Sequence, residues 1–304
     1  MNTNSTGIER IRSLSRPAVP IESDVSADLG VLEGIRAVIF DVYGTLFVSG
    51  SGDVGTSMEV SSAAPFSEAL GGAGLIPPEW AESRREIGEI LRDLYFDTIR
   101  KHHNRLRERG NEFPEVDIRE VWSESMETLS RKYPLGSGKP TPDLIEALAV
   151  EVECRLNPVW PMPEIIGVLE YLRSRGFVLG IVSNAQFYTP LLFPALTGGD
   201  LSSLGFSEDL LVWSYLLKTA KPSSLLFLEI TRELRNEYAI APREAVYIGN
   251  DMLNDVFAAG NVGLRTVLFA GDARSLRMRP DDPRCKGVHP DSTIKGLEQL
   301  KVLL

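Results

Sequence analysis

Ile35–Phe40 (IRAVIF) is a short, β-branched apolar run that stops abruptly at Asp41 and a glycine-bearing turn. A run with apolar residues on both alternating faces predicts a strand buried on both sides of a parallel sheet. Comparable runs recur beyond residue 158: Phe177–Val182 (FVLGIV), Ala245–Ile248 (AVYI) and Arg265–Phe269 (RTVLF), with Leu210–Tyr215 as a shorter candidate. Helical periodicity fills the spaces between them, in Pro163–Arg175 (closed by Gly176) and Ser223–Ala239, and a further helix opens over Asn254–Gly260. Strands alternating with helices predict an α/β fold with a doubly wound parallel sheet. The ligand of such a sheet lies outside the carboxyl ends of its strands.

The pattern changes between about residues 65 and 156. Glu79–Arg109 is long, charged and helical in period, and Ile118–Lys132 and Thr141–Arg155 repeat that character. Pro, Gly and Ser clusters at Gly110–Pro114 and Tyr133–Pro142 separate them. No strand pattern intervenes, so the block reads as an all-helical insertion. Residues 1–32 are mixed and polar, with a short helix possible over Gly7–Ser15, and read as an arm ordered at best in part. Val48–Gly55 is a Gly/Ser loop in which Gly50–Gly55 suits a hinge, because glycines absorb dihedral change. The expected organisation is an N-terminal arm (1–32), a core domain (33–52 and 157–304) and a helical domain (53–156).

Lysine and arginine number 32 against 42 acids, a net charge of −10. That field repels nucleic acid and anionic membranes, so neither is an expected partner, and an anionic substrate requires locally placed cations. No run approaches a bilayer span and the first residues lack a secretory h-region, so the expectation is a cytoplasmic protein. Cys154 and Cys285 are far apart and form no CxxC, which argues against a disulfide framework and for inert thiols.

Four stretches carry chemistry, each with a plainer structural reading beside it. Asp41-Val42-Tyr43-Gly44-Thr45-Leu46 ends the first strand, where free N–H groups of the turn suit an anion; an Asp there also simply caps a turn. Ser183-Asn184 follows FVLGIV and can donate to an oxyanion, or N-cap a helix. Lys221-Pro222 stands at a helix start, offering a compact cation, while Lys218 suits a solvated position. Gly249-Asn250-Asp251-Met252-Leu253-Asn254-Asp255 follows AVYI, and its two carboxylates four residues apart suit Mg²⁺ or helix capping.

In order, strand placement and spacing these stretches resemble the four motifs of the haloacid dehalogenase-like (HAD) hydrolases, and the helical block resembles that superfamily's C1 cap. The resemblance covers Leu32–Phe47 and Pro158 to the end. It implies that Asp41 is the nucleophile, that Ser183 holds the transferring group and that Lys221 neutralises charge. It further implies Mg²⁺ held by Asp41, the Tyr43 carbonyl and Asp251 with Asp255 in support, and a small anionic substrate approached by Thr45, Asn184 and Gln186.

One position departs from the phosphatase pattern, which has an aspartate general acid two residues after the nucleophile. Tyr43 stands there, and a phenol is a poor acid–base group at neutral pH. DVYGTLF and Ser183-Asn184 resemble the dehalogenase branch, whose halide leaves without a proton. Asp251 and Asp255 keep the acidic pattern of the Mg²⁺ enzymes. The expectation is a Mg²⁺-dependent phosphatase on a small phosphorylated metabolite. The alternatives are a 2-haloacid dehalogenase and a non-catalytic ligand-binding or regulatory protein. The sequence leaves substrate identity and oligomeric state open. His102, His103, Arg105 and Arg107 could close over the substrate, or form a solvated helix end. Trp80 and Trp122 read as core of the helical block, and Gln186 and Asp272 as candidates to face the site.

Overall fold

A computed structural model describes residues 3–50, 62–75, 82–133 and 140–304. Six parallel strands form the main sheet: β1 (Ala37–Phe40), β4 (Val178–Ser183), β5 (Phe206–Trp213), β6 (Ala245–Gly249), β7 (Arg265–Phe269) and β8 (Ser292–Ile294), in the order β5-β4-β1-β6-β7-β8. Two further strands, β2 (Phe47–Ser49) and β3 (Val159–Pro161), pair antiparallel as a ribbon. The chain winds outward from β1 in both directions, so the carboxyl ends of β1, β4 and β6 meet at the switch in strand order.

Each strand's alternation decides which core it feeds. Val38 and Phe40 of β1, with Val246 and Ile248 of β6, enter one apolar cluster, while Ala37, Ile39, Ala245 and Tyr247 enter another on the opposite face. Helix α6 (Ile165–Ser174) covers the first face with Ile165, Val168, Leu169 and Leu172; α9 (Ser224–Tyr238) covers the second with Leu226, Phe227, Ile230 and Leu234. Both stripes have the three-to-four-residue spacing of a one-sided helix.

Between β2 and β3 the described residues hold α2 (Ala64–Gly72), α3 (Arg84–Glu108), α4 (Ile118–Lys132) and α5 (Pro142–Leu156), with no strand among them. Asp117 and Thr141 cap α4 and α5. Phe66, Tyr95, Phe96 and Trp122 pack edge-on or tilted inside, with Tyr95 and Trp122 centroids 4.5 Å apart. Trp122 is core, as expected. Trp80, most of the Gly50–Gly55 hinge and most of the Tyr133–Pro142 linker lie outside the described residues.

The N-terminal segment is more ordered than its composition suggests. Helix α1 (Thr3–Leu14) buries Ile11 and packs against α5 and against α7 (Thr189–Leu196), Arg10 pairs with Glu151, and Arg12 donates to the Ala195 carbonyl at 3.1 Å. Further on, Asp28 bridges to Thr293 beside β8, and Leu32 N–H donates to Leu303 O. The apolar signal in this segment is sparse, so polar residues dominate its sequence pattern. The third parallel strand also shifts: β5 spans Phe206–Trp213, and Ser214–Leu217 (α8) turns helical. Among the described residues no helix is long and apolar enough to cross a membrane.

Candidate active site

Asp41 leaves β1 with its N–H bonded to Ile248 O of β6, and the following turn closes on Val42 O, which accepts from Leu46 and Phe47. Gly44 makes this turn possible: its φ is +82°, and a Cβ there would lie 2.5 Å from Ser275 Cβ. The turn leaves the Asp41 carboxylate at the sheet rim, only 5% exposed. Ser183 Oγ at the end of β4 donates to Asp41 Oδ1 at 2.9 Å, and Lys221 Nζ donates to the same oxygen at 2.8 Å. Lys221 is aimed from its backbone, because its N–H donates to Asn184 Oδ1 at 2.8 Å. Its ammonium also donates to Asp255 Oδ1 at 2.6 Å and lies 3.1 Å from the Tyr247 hydroxyl.

The acidic loop after β6 sends its two carboxylates to different places. The expected α-helix opens as a π turn over Met252–Phe257. Asp255 folds back, its Oδ2 accepting from Asp251 N–H at 2.9 Å while its other oxygen meets Lys221. Asp251 caps the turn, accepting from the N–H groups of Leu253 and Asn254, and is gripped by Arg279, whose Nη2 lies 2.6 Å from Oδ2.

Burial sets the electrostatics. Desolvation pushes the Asp41 carboxyl up, against the pull of Lys221 and Ser183. Asp255 is pushed up to about 6 by burial, with Asp41 and Asp251 adding to it and Lys221 opposing. Burial draws the Lys221 ammonium down, but Asp255 and Asp41 more than offset this and hold it above its ordinary value.

A narrow cleft of about 20 Å³ is lined by Asp41, Tyr43, Asn184, Lys221, Asn250, Asp251, Asn254, Asp255 and Arg277. It shares Asn184, Lys221 and Asn254 with a chamber of about 280 Å³ roofed by the helical insertion through Tyr95, Ile99, His103 and Val116. A larger open hollow of about 560 Å³ lies at the other end of the sheet, beside Arg36 and Phe177 at the amino ends of β1 and β4, away from this chemistry.

The remaining candidates fall in several places. The Tyr43 hydroxyl bonds Thr189 Oγ1 at 2.9 Å, and burial, reinforced by Glu153, drives its pKa well above the ordinary phenol. Thr45 donates to Asn250 Oδ1, supporting the turn. Gln186 borders the chamber, but its amide is committed to the insertion, accepting from Ile118 N–H and donating to Val116 O, both at 2.9 Å. Asp272 faces the N-terminal segment, accepting from Ile21 N–H and Arg274. Of the basic group on α3, His103 alone borders the chamber; His102 pairs with Glu124, and Arg105 and Arg107 are exposed. Lys218 pairs with Glu120 near the surface.

Sequence reasoning missed Tyr247 and Arg279. Tyr247 donates to Val182 O at 2.7 Å and steadies Lys221, but in AVYI it reads as one more apolar strand position. Arg279 belongs to a basic stretch after β7 with no motif around it.

The haloacid dehalogenase-like hydrolase family model matches residues 35–263. The chain belongs to this family. It is 28% identical over 148 residues to a glyceraldehyde 3-phosphate phosphatase of Methanopyrus kandleri, covering 47% of this chain and 58% of that protein. The match thus spans little more than half of that relative's length. A crystal structure of a 2-haloacid dehalogenase from Pseudomonas syringae pv. Tomato superposes with a TM-score of 0.52 at 21% identity, covering 88% of this chain and 98% of that one. A HAD phosphatase from Thermococcus onnurineus superposes with a TM-score of 0.45 at 20% identity, covering 88% and 96%.

Proposed function

We propose that this hydrolase acts on a small phosphorylated metabolite through a covalent intermediate on Asp41, with Mg²⁺ at the site and the helical insertion (53–156) acting as a cap over the core (33–52 and 157–304). The observation that carries the reading is a buried carboxylate clamped at one oxygen by Ser183 and Lys221, in the same cleft as Asp251. Asp41 attacks phosphorus, the bond to the leaving oxygen breaks, that oxygen takes a proton from solvent water, and an aspartyl phosphate forms. Water then attacks phosphorus, releasing phosphate and regenerating the Asp41 carboxylate. Ser183 and Lys221 hold negative charge on the transferring group in a site that excludes most water. Asn184 positions Lys221 through its backbone, and Asp255 and Tyr247 orient the ammonium.

The donor set suits Mg²⁺. Among the described residues no three His, Cys, Asp or Glu side chains form a metal-holding group, but Mg²⁺ takes one or two carboxylates and fills its shell with other oxygens and water. Asp41, the Tyr43 carbonyl and Asp251 would hold it, with Asp255 in support. When bound, the ion supplies Lewis-acid neutralisation of the phosphoryl oxygens.

A second reading has its own observation. The Tyr43 hydroxyl is paired with Thr189 and burial drives its pKa well above an ordinary phenol, so the position that would protonate an alkoxide holds a poor acid. A halide needs none, which favours C–halogen hydrolysis of a 2-haloacid. The test is hydrolysis of an aryl phosphate with Mg²⁺, lost on adding EDTA and in Asp41→Asn. Chloride release from a 2-chloroacid without metal would select the second reading. Inactivity in both assays would point to a ligand-binding protein.

A further inference from the structure

Three buried carboxylates, Asp41, Asp251 and Asp255, gather at this rim, and Lys221 reaches only Asp41 and Asp255. Asp251 is served by Arg279, whose Nε lies 3.2 Å from each carboxylate oxygen and whose Nη2 lies 2.6 Å from Oδ2. A planar guanidinium set against both oxygens occupies acceptor sites that a metal ion would otherwise use. The placement is built into the backbone. Met252 N–H donates to Arg277 O and Arg277 N–H to Asn250 O, both at 2.9 Å, strapping Arg277, two residues before Arg279, along the acidic loop. Arg279 itself has φ +51°, a left-handed conformation uncommon for a residue with a side chain. Its side chain is 37% exposed and borders the substrate chamber, so it has somewhere to go.

We propose that Arg279 is a tethered counter-cation that competes with the divalent ion for Asp251, so that loading the site releases Arg279 toward the chamber. This rests on the reading of Asp251 as a metal carboxylate. Without metal, Arg279 keeps Asp251 from standing uncompensated beside Asp41 and Asp255. With metal, the displaced guanidinium adds positive charge to the chamber that receives an anionic substrate.

Titration of the full chain with Mn²⁺ alone, by calorimetry and by electron paramagnetic resonance, tests the idea without reference to turnover. Arg279→Gln should bind Mn²⁺ about tenfold more tightly than wild type or better, the usual scale of coupling between mutually exclusive partners. Arg279→Lys should fall between. Without metal, Arg279→Gln should melt below wild type, with the gap closing at saturating Mn²⁺. If Arg279→Gln and wild type bind Mn²⁺ equally while Asp251→Asn weakens binding, the competition is overturned and the metal reading survives. If none of these proteins binds Mn²⁺, both are overturned.

Discussion

Replacing Lys221 with methionine fills a similar volume and removes one buried ammonium. Its nitrogen lies 2.8 Å from Asp41 and 2.6 Å from Asp255, with side chains 4%, 7% and 2% exposed respectively. At an effective dielectric of ~20, unit charges at such a separation attract by roughly 6 kcal/mol. Desolvation of all three groups offsets most of that. What remains when one partner of a buried pair is deleted is about 3–5 kcal/mol, because the other charges stay buried and uncompensated. Urea unfolding near neutral pH should show that loss. Adding Asp255→Asn removes one of the stranded charges and should restore about half of it, on the same scale. Activity should stay low in both proteins under the proposed mechanism, in which Lys221 also neutralises charge on the reacting group.

Acidification supplies a second handle on the same cluster. The Asp255 carboxyl is already pushed up to about 6 in the folded protein, against 3.8 for an ordinary aspartate. The native state therefore binds the proton more tightly than the unfolded chain, and stability falls as pH rises through that window. Without Lys221 the carboxyl rises further, so lowering the pH should stabilise the variant relative to wild type. A Lys221→Met protein that unfolds at the wild-type urea concentration, or a double variant no more stable than the single, would refute the reasoning.

Tyr43→Phe should keep wild-type turnover within a few-fold, because its hydroxyl bonds Thr189; the lost bond should cost about 1 kcal/mol in a denaturation curve. A collapse in turnover would instead give the phenol a chemical role. Gly44→Ala should destabilise by about 1–3 kcal/mol and disturb the Asp41 turn, given φ +82° and a Cβ 2.5 Å from Ser275 Cβ. Burial pushes the pKa of the partly exposed Cys154 thiol up to about 12, so iodoacetamide near pH 8 should modify it far more slowly in the folded protein than after denaturation. Rapid alkylation under native conditions would contradict that placement.

The parallel strands nearest the site were legible because burial on both faces writes an uninterrupted apolar run, as in Ala37–Phe40 and Ala245–Gly249. Helical period and the Pro, Gly and Ser clusters between them made the insertion helices equally plain: α4 spans Ile118–Lys132 and α5 Pro142–Leu156. Three-residue elements such as β2, β3 and β8 are too short for any period to show. Helix α7 is short and carries Pro190 and Pro194, which obscure a helical pattern, although the first occupies the opening turn. At the site, Asp41, Ser183, Lys221 and Asp255 converge, in keeping with positions just after a strand or near a helix start. The destinations of Tyr43, Gln186 and Asp251 were not legible. Each depends on a partner distant in sequence (Thr189, Val116 with Ile118, and Arg279).

The account turns on Asp41 carrying the transferred group. Acid-quenching the Mg²⁺-loaded protein during turnover of an aryl phosphate, followed by peptide mass spectrometry, reads this directly. A phosphoryl group on the peptide holding Asp41, missing from Asp41→Asn, is the predicted result. Turnover with that peptide unmodified throughout, or with the phosphoryl group on Ser183 or His103, would contradict the account.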